Sequence, residues 1–209
     1  MELSTWLAFF AASWAISISP GAGAVAAMTS GLNHGFRRGY ITCFGLVLGI
    51  WTQVLVVGAG LGAIVAASAA AFFVIKWLGV AYLVWLGIAQ WRAPAVPLVA
   101  KAQDANLLAR RSMVLQGWMI NAVNPKGTVF LLAVVPQFLN PAQPLWPQYV
   151  VIAATLAFTD LVVMGAYTAL AARILVALKS PLHLRIINRT FGGLFIAAGS
   201  MLALFKRSV

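Results

Sequence analysis

The chain has only three acidic residues, and one of them, Asp160, lies inside a long apolar run as Thr159-Asp160-Leu161. Glu2 is terminal, and Asp104 sits in a polar stretch. Lys126, directly after Asn124-Pro125, lies in the middle of another apolar segment. An ionisable group at a helix centre in hydrocarbon costs about 2.5–3.5 kcal/mol on insertion scales, so such residues invite a functional reading. A carboxylate in a low-dielectric bundle suits proton transfer. An ammonium at that depth suits a substrate carboxylate. The structural alternative is an Asp160–Lys126 pair that neutralises itself and holds helices together. Both hold if the pair opens during a cycle.

The second chemical feature is backbone. Ser19-Pro20-Gly21-Ala22-Gly23 interrupts the first apolar segment, and Asn124-Pro125 interrupts the fourth. Proline removes a backbone donor and disrupts the helix. In hydrocarbon the freed groups must find partners unless they line a cavity. Each break creates a helix N-terminus, which attracts a carboxylate. The amides of Asn121 and Asn124 both donate and accept. The bland alternative is a pair of kinks that only shape packing.

These residues need apolar elements to position them, and the composition supplies little else. The 209 residues are 63% hydrophobic and 8% charged. Soluble domains are nearer half apolar and about a quarter charged, so the chain is an all-α membrane protein. Spans are expected near Thr5–Thr29 (broken at Pro20), Tyr40–Val65, Ala70–Trp91, Met113–Phe138 (broken at Pro125), Gln148–Arg173 and Ile187–Phe205. Six spans of about 20 residues use most of the length and leave no room for a soluble domain. The whole chain, 1–209, is therefore one polytopic domain. Pro20 and Pro125 fall at matching places in two three-helix units, residues 1–92 and 112–209, joined by a loop over 93–111. Gly79 has a counterpart in Gly193. Three spans per unit make the second copy inverted, a transporter pattern with its site at the broken helices.

The formal net charge is +11. Nucleic acid is not the reading, because the basic residues collect in the odd-numbered loops. These are Arg37 and Arg38; then Arg92, Lys101, Arg110 and Arg111; then Arg173, Lys179, Arg185 and Arg189. By the positive-inside rule those loops are cytoplasmic and both termini periplasmic, with Lys206 and Arg207 opposing. Trp6, Trp91, Trp146 and Tyr149 fall near span ends, as interfacial aromatics do.

Gly45-x-x-x-Gly49 and Gly58-x-x-x-Gly62 permit close helix approach. Thr52 and Gln53 either line a path or bond a neighbouring helix. His34 and His183 are placed in loops far apart, and no cluster of Cys, His and acidic residues suggests a metal. Cys43 is the lone cysteine, so there is no thiol relay. The sequence holds no nucleophile–base arrangement and no phosphate loop, so neither an enzyme nor a cofactor is expected. The first segment lacks a basic n-region and is expected to stay rather than be cleaved as a signal.

An ordered set of motifs then resembles the lysine-exporter superfamily, in its homoserine and threonine efflux branch. The set runs from Ser19-Pro20-Gly21 through Gly35-Phe36-Arg37-Arg38-Gly39, Gly45 and Gly49 to Lys76-Trp77-Leu78-Gly79. It continues with Tyr82-Leu83-Val84-Trp85-Leu86-Gly87, Asn124-Pro125-Lys126, Pro136-Gln137-Phe138 and Phe191-Gly192. One departure is Ala22, where many members carry a second proline. The resemblance implies a six-helix protein of the bacterial inner membrane. It also implies efflux of neutral amino acids or derivatives, such as homoserine, homoserine lactone or threonine, driven by the proton gradient. Leucine or a basic amino acid as cargo, or a passive channel or assembly subunit, are the rival readings. The expected mechanism is alternating access. Substrate would meet Ser19, Pro20, Gly21, Gly23, Gln53, Asn121, Asn124 and Lys126, and Asp160 would carry the proton. The partners are a small-molecule substrate, protons and the bilayer; a homo-oligomer is compatible with the sequence.

Overall fold

Long runs of Leu, Val, Ala, Ile and Phe leave each backbone polar group no partner in hydrocarbon except its own helix, and the chain obeys this. A computed structural model describes residues 1–67, 69–94, 110–171 and 180–204, and among these every regular element is a helix. They are α1 (Leu3–Ile18), α2 (Ala22–Gly39), α3 (Ile41–Ala67), α4 (Ala69–Arg92), α5 (Arg110–Ala122), α6 (Pro125–Phe138), α7 (Leu145–Ala169) and α8 (Pro181–Leu204). Lys101, Asp104, Arg173, Lys179, Lys206 and Arg207, used above for loops and orientation, lie outside the described residues.

The two expected breaks are where proline put them. The chain turns by 57° between α1 and α2 and by 52° between α5 and α6. By length and apolarity α3, over Ile41–Gly60, and α7 can each cross a membrane, and each bent pair can do so as one span. Helices α4 and α8 occupy the places expected of the third and sixth spans. Exposed Leu55, Val56, Trp85, Phe158 and Leu194 give these helices an apolar outer surface, as lipid contact requires.

Glycines set the closest helix crossings. A Cβ on Gly45 would overlap the Val114 carbonyl, and one on Gly117 would overlap that of Thr42, so α3 and α5 touch backbone to backbone. Gly49 rests against Asn121 and Ala122 in the same crossing. Gly58 packs less tightly, since an added Cβ there would lie 3.2 Å from the Tyr149 ring, in a contact between α3 and α7. On α4 and α8 the interlocking glycines are Gly87 and Gly192, where an added Cβ on either would come within 2.7 Å of the other's carbonyl oxygen. Gly193, the expected counterpart of Gly79, faces the edge of the Trp91 ring instead.

Helix α2 runs further than expected. It absorbs Arg37 and Arg38 into its last turn, where cations complement the helix C-terminus. His34 therefore lies in α2, and His183 in the first turn of α8, rather than in loops. Within α2, Gly35 takes φ 71° and ψ 170°, a region open in practice only to glycine. Gly35→Ala meets no steric obstacle but must adopt that backbone, so it should destabilise the protein by about 1–3 kcal/mol. Thermal unfolding in detergent checks this against Gly60→Ala, which also meets open space but lies in regular helix and should be neutral or stabilising. Equal melting temperatures for the two variants would show that the α2 kink is not held by Gly35.

Gln148 organises the proline-rich turn between α6 and α7. Its side chain accepts from the Asn140 N–H (2.7 Å) and donates to the Asn140 and Pro144 carbonyls (2.8 and 3.1 Å). It is buried at the start of α7, so one amide satisfies the backbone that three prolines leave unpaired.

Candidate functional site

The end of α1 decides the geometry. Pro20 has no N–H and Gly21 is extended, so the last carbonyls of α1 lose their helical donors. They are capped from across the molecule. The Lys126 ammonium donates to the Ser19 carbonyl at 2.7 Å and, at 3.5 Å, to that of Ile16. The Tyr167 hydroxyl donates to the Ile18 carbonyl at 2.7 Å. A cation at a helix C-terminus is the favourable sign.

The second break is built differently. Asn124 is the N-cap of α6, its side-chain oxygen accepting from the Lys126 N–H (3.1 Å), and Pro125 stands at the first helical position, where its missing donor is harmless. The Asn124 amide donates to Asn121 Oδ1 (3.1 Å), and Asn121 in turn donates to the Leu46 carbonyl (2.9 Å). Gln53 reaches from α3 to the same turn, its Nε2 donating to the Asn124 carbonyl (2.8 Å) and to Thr128 Oγ1 (2.9 Å). Neighbouring Thr52 points elsewhere. It donates to the Leu48 carbonyl and accepts from Trp118 Nε1 of α5, so it bonds a neighbouring helix rather than lining a path.

The two breaks face each other across one cavity, part of it open to the outside. Eight of the nine expected site residues line it: Ser19, Gly21, Gly23, Gln53, Asn121, Asn124, Lys126 and Asp160; Pro20 does not. Ile50, Phe130, Leu131, Leu156 and Met164 give it an apolar wall. A mostly apolar pocket with a few converging polar groups is the usual form of a small-molecule site.

Asp160 is 7% exposed, and its Oδ2 is buried without a hydrogen-bond partner. The proposed pair does not form here, because Lys126 is spent on the α1 carbonyls and makes no ion pair with Asp160. Gln53 Oε1 and Ser19 Oγ are likewise buried and unpartnered at this cavity. At the start of α2, Gly21 is the N-cap and no side chain caps the turn, so the first N–H groups are not taken by a side chain. The site thus offers carbonyls at one end of the first break and amide donors at the other, with one ammonium and one carboxylate among its lining residues.

The family profile described as LysE type translocator matches residues 14–205 of the chain. The chain belongs to this family. It is therefore a membrane transport protein and not an enzyme. Over 206 residues it is 40% identical to the homoserine/homoserine lactone efflux protein of Salmonella typhimurium, with 97% of this chain and 98% of that protein covered. An uncharacterized membrane protein of Vibrio cholerae is also 40% identical over 206 residues, covering 99% of this chain and 100% of its own. The leucine efflux protein of an Enterobacter strain is 25% identical over 194 residues, 90% of each chain. No solved structure matches.

Sequence reasoning missed a set of hydroxyls in this LysE-type translocator. Ser17 of α1 meets Thr159 of α7 at 3.3 Å, and Trp6 Nε1 donates to Thr155 Oγ1 at 3.2 Å. Ser13 and Ser17, and Thr155 and Thr159, are each four residues apart, so each pair falls on one helix face. That spacing within apolar helices was the available signal for an α1–α7 seam. Nothing local marked Tyr167, whose acceptor is a backbone carbonyl 149 residues away.

Proposed function

We propose that this LysE-type translocator exports neutral amino acids and their close derivatives, homoserine and homoserine lactone foremost, from the cytoplasm across the bacterial inner membrane, using the proton gradient. The observation that carries the reading is the cavity in which both helix breaks meet one carboxylate and one ammonium. One charge of each sign matches a zwitterion or a lone ammonium. It offers little to a cargo with an additional positive charge, which disfavours lysine. Identity to the Salmonella protein over nearly the full length supports homoserine and its lactone. The apolar wall and the leucine efflux relative favour leucine as the second reading.

Six spans in two inverted units fit the packing. Broken helices α1 and α2 of the first unit rest on α7 of the second, and α5 and α6 of the second rest on α3 of the first. Helices α4 and α8 pack on each other. Such reciprocal contacts are what an inverted repeat produces, although α4 also packs on α6 without a comparable α8–α2 contact among the described residues. With the basic loops inside, both termini are periplasmic. Substrate meets the backbone at Pro20–Gly23 and the side chains of Gln53, Asn121, Asn124 and Lys126, and Asp160 carries the proton.

Counterflow in proteoliposomes tests the reading. Vesicles with purified protein are loaded with homoserine, homoserine lactone, threonine, leucine or lysine, with and without a pH gradient. Gradient-stimulated movement of homoserine or its lactone is the expected result. Movement of lysine in preference to all the others would overturn the cargo assignment.

The breaks give a second test. Pro20→Ala should slow transport several-fold, because no side chain caps α2 and the proline itself maintains the break. Pro125→Ala should slow it less, because the Asn124 cap survives the change. Wild-type rates in both variants, with folding verified, would reduce the breaks to packing kinks.

A further inference from the structure

We infer that Lys126 is a tethered occupant of the substrate's ammonium subsite, moving between the Ser19 carbonyl and Asp160 as substrate and proton exchange places. This rests on the function proposed above. The terminal carbonyls of α1 carry partial negative charge and face the cavity through Ile16 and Ser19. In this structure they already hold a primary ammonium, the Lys126 Nζ, at 2.7 and 3.5 Å. A lysine ammonium has three donors and no acceptor, the same group an amino acid carries on its α-carbon. What binds one binds the other.

The displaced lysine has a destination. Asp160 lines the same cavity, nine-tenths buried, with Oδ2 unpartnered. Among the described residues no other charged side chain lines the cavity, and Cys43, on α3 beside α7, is engaged with Thr168 Oγ1 at 3.5 Å. In the inferred cycle Asp160 holds a proton while Lys126 sits on α1, the position seen here. When substrate enters from the cytoplasm, its ammonium takes the Ser19 carbonyl and Lys126 swings to Asp160. The Asp160 proton passes to water on the cytoplasmic side. Outside, a proton from the periplasm returns to the carboxylate, Lys126 reclaims the carbonyl and the substrate ammonium leaves. One ammonium enters the site for each proton that departs, so its count of positive charges is unchanged. Proton and substrate then exclude each other, which is the condition for antiport.

The same geometry sets a substrate rule: a free ammonium is required and a carboxylate is not. Homoserine and its lactone share the first group and differ in the second.

The test adds homoserine to the purified full-length protein in weakly buffered detergent while binding and pH are followed. The expected result is one proton released per homoserine bound, none from Asp160→Asn, and no competition by N-acetylhomoserine lactone, which lacks the ammonium. In proteoliposomes, Lys126→Met should lose stimulation by a pH gradient and reach half-saturation at a lower homoserine concentration, since the internal competitor is gone. Binding without proton release, competition by the N-acetyl lactone equal to that of the lactone, or retained gradient stimulation in Lys126→Met would each overturn the inference alone. Failure of the wild type to bind homoserine or its lactone would overturn the proposed cargo, and the inference with it. If Lys126→Met does not fold, the wild-type proton count and the N-acetyl lactone decide.

Discussion

Asp160→Asn is expected to abolish uphill export, so that the ratio of substrate across a vesicle membrane under a pH gradient falls to the ratio reached without one. Melting temperature in detergent should stay at the wild-type value or rise. The two expectations separate because of how Asp160 is held. Its Oδ2 has no hydrogen-bond partner and Lys126 does not pair with it, so asparagine removes an ionisable group without breaking a contact. Leaving a charge buried and unpaired costs several kcal/mol, and the amide avoids that state altogether. A carboxylate kept only for architecture would give the opposite pattern, a lower melting temperature with export intact. Concentrative export by the asparagine variant would sink the proton role.

The second large effect is structural. Gly45→Ala should destabilise the protein by about 1–3 kcal/mol, the range for forcing extra volume into a packed interface, and should lower transport with it. The added methyl would overlap the Val114 carbonyl, and a backbone atom cannot rotate aside. Helices α3 and α5 must then separate, which strains the Asn121–Leu46 hydrogen bond one turn along the same crossing. Thermal unfolding and transport on one preparation check this. Gly193→Ala is the comparison, because its methyl would lie 3.4 Å from the Trp91 ring in ordinary contact. Equal melting temperatures in the two variants would mean that the α3–α5 crossing has slack.

How much of this could be read in advance follows from how local each cause is. The breaks at Pro20 and Pro125 were legible because proline acts on its own backbone. The helix positions were legible because hydropathy demands them, but α2 runs ten residues past the expected Thr29 and α8 starts six before the expected Ile187, while the other ends moved by four or fewer. The cavity was legible in membership, since polar residues beside the breaks had no other place to go. Partners were not. By its type Lys126 calls for Asp160 or a substrate carboxylate, yet it caps a carbonyl 107 residues away. Every residue has a carbonyl, so side-chain types cannot announce such an acceptor. Thr52 and Gln53 are adjacent, and their opposite fates depend on which helix face meets α6 and which meets α5. Only tertiary packing decides that.

Contacts between the N-terminal and C-terminal halves of the chain bear on its synthesis. Ser17 finds Thr159, the α1 carbonyls find Lys126 and Tyr167, and Gln53 finds Asn124 only across the halves. When the first half leaves the ribosome, none of these partners has emerged. The nascent half therefore enters the bilayer with its broken helix uncapped and its polar groups waiting in lipid or in the insertion machinery. Folding is completed late, by the arrival of α6 and α7, and a chain that stalls before α6 is one a quality-control protease should recognise.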